Sequence, residues 1–124
     1  MILGIDPKND YAFRKLFGSE SNKPLLLDLL NSVLEASTAE PLDEVDIQNP
    51  FNELDTPDDK GSILDIKARD RSGRVYNIEM EMAPAWFYPK RVLYYSSGLY
   101  QEQLSKGQAY EDLKPVISIS FVNR

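Results

Sequence analysis

The sequence contains no cysteine and no histidine. Thiol nucleophiles, Ser-His-Asp triads and ordinary zinc sites are therefore excluded within this chain. Catalysis would fall to carboxylates, Lys, Arg, Tyr or hydroxyl groups, with no organic cofactor implied. A bound metal would be a hard cation held by oxygen, Mg²⁺ or Mn²⁺. No apolar run approaches the ~20 residues a bilayer span requires. The start, Met1-Ile2-Leu3-Gly4-Ile5-Asp6, lacks the basic flank of a secretory leader. The expectation is a cytoplasmic protein with no membrane partner. Basic residues are scarce, 14 Lys and Arg against 20 Asp and Glu, for a net charge of −6. That balance argues against a general basic surface for nucleic acid. It leaves room for an enzyme whose cation bridges acid to phosphate.

What is present describes one domain. The chain has 124 residues, enough to bury a single core. With 42% hydrophobic and 27% charged residues it has ordinary globular composition, so low-complexity disorder is excluded. Asp6 to Gly18 reads as a short helix with Ala12, Phe13, Leu16 and Phe17 on one face. A second helix opens at Ser21-Asn22-Lys23-Pro24 and carries Leu25, Leu26, Leu29, Leu30, Val33 and Leu34 at helical spacing. Glu44 to Gln48 alternates as a strand, stopped by Asn49-Pro50, and Pro57 to Gly61 marks a turn. Ser62 to Asp70 and Arg74 to Met82 form two alternating runs around Arg71-Ser72-Gly73. Pro84 to Pro89 connects to a helix predicted over Lys90–Lys106, with Val92, Leu93, Leu99, Tyr100 and Leu104 inward and Gly107 as its stop. Ser96, Ser97 and Gly98 would let its middle approach a sheet, and Pro115 to Phe121 is the last strand. The order α-β-β-β-α-β gives an α/β fold, a mixed sheet flanked by helices.

The hairpin register follows from its loop. A three-residue loop with Gly73 in the left-handed position pairs Asp70 with Arg74, Ala68 with Tyr76, Ile66 with Ile78 and Leu64 with Met80, all on one side. The other side carries Lys67 opposite Asn77, Asp65 opposite Glu79 and Ile63 opposite Glu81. A two-residue loop would mix polar and apolar faces, so the first register is favoured. Directly opposed side chains lie ~4.5–5.5 Å apart at Cβ, where like charges destabilise. Asp65, Glu79 and Glu81 crowd one spot, and a divalent cation would turn their repulsion into coordination. The plainer reading is a solvated strand face with Lys67 and Arg69 as partners. Tyr94, Tyr95 and Tyr100 read as core and helix surface rather than as a base-stacking platform.

Asp6-Pro7-Lys8-Asn9-Asp10-Tyr11-Ala12-Phe13 with Leu16-Phe17-Gly18 resembles the N-terminal signature of the Rpn family of recombination-promoting nucleases and transposases, within the PD-(D/E)XK nuclease superfamily. Leu64-Asp65-Ile66-Lys67-Ala68 with Asn77-Ile78-Glu79-Met80 resembles its catalytic hairpin. Arg91 with Tyr94-Tyr95, and Leu113 to Ile119, resembles its later helix and last strand. The resemblance implies a restriction-endonuclease-like core and metal-dependent DNA endonuclease activity. By it Asp65 and Glu79 are the two motif acids, with the Met80 carbonyl as a further metal ligand. The third motif position, usually Lys in the superfamily and often Gln in this family, is Glu81, a departure that makes Lys67 a candidate for the missing positive charge. Asp10 is an additional candidate acid, and Lys90, Arg91, Arg14 and Lys15 form a candidate DNA-binding patch. Chains of this family continue past the last core strand, so a C-terminal extension is expected to be lacking here; a homo-oligomer is compatible with the sequence. Two other functions stay open: a degenerate nuclease fold that binds DNA or a protein partner without catalysis, and an interaction domain whose acids face solvent.

Overall fold

The computed structural model describes residues 10–35, 41–51, 65–81 and 84–122. The lead-in Met1–Asp6, the Pro57–Gly61 turn and the pairings of Ile63 and Leu64 lie outside these. Helix α1 spans Asp10–Phe17 and α2 spans Lys23–Leu34, followed by strands β1 (Val45–Ile47), β2 (Asp65–Asp70) and β3 (Val75–Glu81). Helix α3 (Tyr88–Gln101) then crosses to β4 (Val116–Val122). The sheet order is β1-β2-β3-β4, antiparallel at the first two junctions and parallel between β3 and β4. A parallel pair needs a crossover, and α3 supplies it. The α-β-β-β-α-β order read from the sequence is therefore the observed one.

Alternation along each strand splits the sheet into two chemically distinct faces. Ile66, Ala68, Tyr76, Ile78 and Ile119 point to one side with Val45 and Ile47. Phe13 of α1 and Leu26, Leu30 and Leu34 of α2 close over them. Removing this apolar surface from water supplies the main driving force for folding. The opposite face presents Asp65, Lys67, Asn77, Glu79, Ser118 and Ser120. Helix α3 lies over that polar face, touching it through the Tyr88 hydroxyl, Ser96 and Leu99.

The hairpin has the predicted register: Asp65↔Glu79, Ile66↔Ile78, Lys67↔Asn77 and Ala68↔Tyr76. Gly73 sits at φ 96°, and the Asp70 N–H donates to the Arg74 carbonyl at 3.0 Å. Only glycine adopts that backbone without strain. Asp70 staples the loop. Its carboxylate accepts from the Ser72 hydroxyl, the Arg74 Nε and the Tyr76 hydroxyl at 2.7, 2.7 and 2.8 Å. Burial alone would raise its pKa; the bonds from Ser72, Tyr76 and Arg74 outweigh burial and hold it at about 2.

Helix α3 departs from expectation at both ends. It starts at Tyr88, with Pro89 in its first turn, and stops at Gln101, well before Gly107. Its phase also differs. The side packed on the sheet runs through Tyr88, Val92, Ser96 and Leu99, so Leu93 (68% exposed) and Tyr100 (44%) face outward rather than inward. Of the three small residues only Ser96 makes the close approach, bonding the Ser118 hydroxyl; a side chain at Gly98 would meet nothing within 4 Å. No helix among the described residues is long and apolar enough to cross a membrane.

Candidate active site

The polar face gathers at the end of the hairpin where β2 begins and β3 ends. Asp65 and Glu79 are directly opposed there. Glu79 is buried and Asp65 half-buried. Burial raises the pKa of Asp65, and the nearby charge of Glu79 adds to the rise, while Lys67 works against both. Two acids placed together at such cost need a compensating positive charge or a cation.

The surroundings hold each acid by a different device. The Tyr88 hydroxyl, on the first turn of α3, donates to Glu79 Oε2 at 2.7 Å and lies 3.1 Å from the Ser120 hydroxyl. Burial, together with the Glu79 carboxylate, pushes the Tyr88 phenol up to about 12, so it stays a donor at any working pH. The Asn77 Nδ2 donates to Glu79 Oε1 at 3.5 Å. Asp65 is fixed through its backbone. Its carbonyl accepts from Asn49 Nδ2 at 3.0 Å and from Arg14 Nε at 3.3 Å, and the Lys67 N–H donates to Asn49 Oδ1 at 2.7 Å. Asn49 thus continues with its side chain a ladder that β1 ends at Ile47, just before Pro50 removes the next backbone donor. Arg14 also donates to the Asn49 carbonyl at 3.0 Å and lies over the Phe51 ring.

These contacts correct two expectations. Arg14 is 9% exposed and committed to carbonyls, so it belongs to the scaffold of Asp65 and not to an exposed basic patch. The three acids do not share one spot: Glu81 forms an ion pair with Arg91 at 3.5 Å, and among the described residues no three Asp or Glu gather to hold a metal. An ion pair relieves a third carboxylate of repulsion from the other two. Lys15 and Lys90 lie on the surface, Lys90 over the Trp86 ring. Nothing is described of the Asp10 side chain.

The donor set still fits a divalent cation. Mg²⁺ is commonly bound through one or two carboxylates, with waters and substrate phosphate completing its octahedron. Asp65 and Glu79 supply such a pair, and Lys67 stands on the same face. Sequence reasoning missed Tyr88, Asn49 and Ser120. Only Ser120 carried a local signal, the Ile-Ser-Ile-Ser alternation that sends hydroxyls to one side of β4.

Comparison with known proteins bears on this arrangement. A family model described as PD-(D/E)XK nuclease family transposase matches residues 7–124. No curated protein and no solved structure matches the chain.

Proposed function

The chain belongs to the PD-(D/E)XK nuclease family transposases, and from that premise we propose that it is an endonuclease that hydrolyses DNA phosphodiester bonds with a divalent cation, Mg²⁺ or Mn²⁺. One observation carries the reading: Asp65 and Glu79 directly opposed on a polar sheet face, the Glu79 carboxylate held by the Tyr88 hydroxyl and the Asp65 backbone by Asn49. Asp65, Glu79 and the Met80 carbonyl would hold the cation. When bound, it supplies charge neutralisation at the scissile phosphate and acidifies water.

The remaining chemistry falls to the chain's own groups. Tyr88 keeps Glu79 in one orientation, so its charge is aimed before substrate arrives. Lys67 brings positive charge towards the phosphate from the neighbouring strand, in the role the third motif position usually fills. Lys67 orients the water that attacks phosphorus; the water's proton passes to solvent as the bond to the departing oxygen breaks, without a covalent enzyme intermediate.

A plasmid-nicking assay in Mg²⁺ tests this. Wild type is expected to nick, and Asp65→Ala and Glu79→Ala to lose the activity. Equal nicking by all three would reject the assignment. One observation favours a second reading, binding without cleavage: the Glu81–Arg91 pair keeps the third acid from the other two. DNA retention by a wild type that never nicks, in Mg²⁺ or Mn²⁺, would select that reading.

A further inference from the structure

A cavity of about 320 Å³ lies between β2 and α3, walled by Asp65, Lys67 and Asn77 on the sheet and by Tyr94 and Tyr95 on the helix. Its size falls within the ~300–1,000 Å³ of small-ligand sites. Two features of its wall are unused by the hydrolysis described above. Asn77 is 1% exposed, its Nδ2 is given to Glu79, and its buried Oδ1 has no hydrogen-bond partner among the described residues. A buried acceptor left unpaired is destabilising, so this position wants a donor. Tyr94 is 78% exposed, and it meets Tyr95 edge-on, with ring centroids 6.0 Å apart and planes at 80°. Packing in the fold does not account for a tyrosine held so far out of the core beside a polar cavity. Its ring is open to a planar partner.

We propose that this cavity receives one unpaired nucleobase of the DNA strand beside the bond being cut, stacked on Tyr94 and giving an exocyclic amine hydrogen to Asn77 Oδ1. The inference rests on the nuclease reading and narrows its substrate. A base enters the cavity only after leaving the duplex stack, which is costly in paired DNA and least so at a bulge, mismatch or single strand. The substrate class is therefore DNA with an unpaired nucleotide near the scissile phosphate. Adenine, cytosine and guanine carry an exocyclic amine at the edge that pairs; thymine carries none. Lys67, in the same wall, meets the phosphate that follows the base.

The test uses the whole chain and one duplex in four forms: fully paired, with a single unpaired adenine, with an unpaired thymine, and with an abasic residue at that position. Binding is read by anisotropy in Ca²⁺ and cleavage in Mg²⁺. The unpaired adenine should be bound and cut ~10–100-fold better than the abasic form, the fold-change that stacking of one base supplies. Thymine should fall between them. Tyr94→Ala, at an exposed position that folding does not need, should bring the adenine-to-abasic ratio close to one, and Tyr94→Phe should keep it. Equal cutting of all four forms by wild type, or an undiminished ratio in Tyr94→Ala, overturns the base site and leaves the nuclease reading standing. Failure of wild type to cut any form overturns both.

Discussion

Tyr88→Phe removes one oxygen and leaves the ring in place. The lost hydroxyl donates at 2.7 Å to Glu79 and sits 3.1 Å from Ser120. A hydrogen bond to a charged group contributes ~1.5–3 kcal/mol. Glu79 is buried, and among the described residues only the 3.5 Å bond from Asn77 would remain to it. The fold should lose about 2 kcal/mol, and the melting temperature should drop by roughly 5–10 °C for a domain of this size. The more telling quantity is metal affinity. A group that orients a ligand from outside the coordination sphere is worth ~10–100-fold in binding. Titration calorimetry with Mn²⁺ should show that weakening, whereas Tyr110→Phe, the same deletion at an exposed ring, should leave affinity unchanged. A Tyr88→Phe protein that melts lower yet binds Mn²⁺ within twofold of wild type would refute the orienting role. The hydroxyl would then be a packing contact that happens to touch a carboxylate.

Three further perturbations follow from the same contacts. Asp65→Asn removes a half-buried charge set against Glu79, so it should abolish nicking while raising stability by up to ~1 kcal/mol, seen as a higher urea midpoint. Asp70 titrates at about 2 in the fold against 3.8 ordinarily. Its contribution, about 2 kcal/mol, should be complete above pH ~4 and fade as pH falls towards 2, and Asp70→Asn should flatten that acid limb of the stability profile. Arg14→Ala strips donors from the Asp65 and Asn49 carbonyls and should cost about 2–3 kcal/mol in thermal unfolding. Lys15→Ala, on the surface, should change stability by less than about 0.5 kcal/mol.

Local rules were enough for the hairpin. Gly73 fixed the loop, the apolar pairs Ile66–Ile78 and Ala68–Tyr76 fixed the register, and Asp65 opposite Glu79 followed by counting. The first and last strands announced themselves by alternation. The phase of α3 was not legible, because apolar residues occur all around it. Leu93 and Tyr100 look as inward as Leu99 until Tyr88 and Ser96 anchor the other side to the sheet. The support of the site was hidden for a different reason. Arg14 reaches Asp65 across 51 positions and Tyr88 reaches Ser120 across 32, and no periodicity encodes such pairings. Arg14 therefore looked like surface charge and Tyr88 like a linker residue. The Asn49-Pro50 pair was readable as a strand stop but not as a side-chain rung onto β2. In sequence Tyr94 reads as ordinary helix surface; its position in one cavity wall with Asn77 and Asp65 is a property of the docked helix.

The bridge from Tyr88 to both Glu79 and Ser120 ties the chemistry to the order in which the chain assembles. The β2–β3 hairpin is local and can form early, whereas pairing β4 alongside β3 must wait for a long crossover to close. Until that closure, the Tyr88 phenol lacks the Ser120 hydroxyl that β4 brings beside it. A nascent chain carrying only the hairpin thus exposes both acids without the full grip that aims Glu79, and that grip is completed with the final strand.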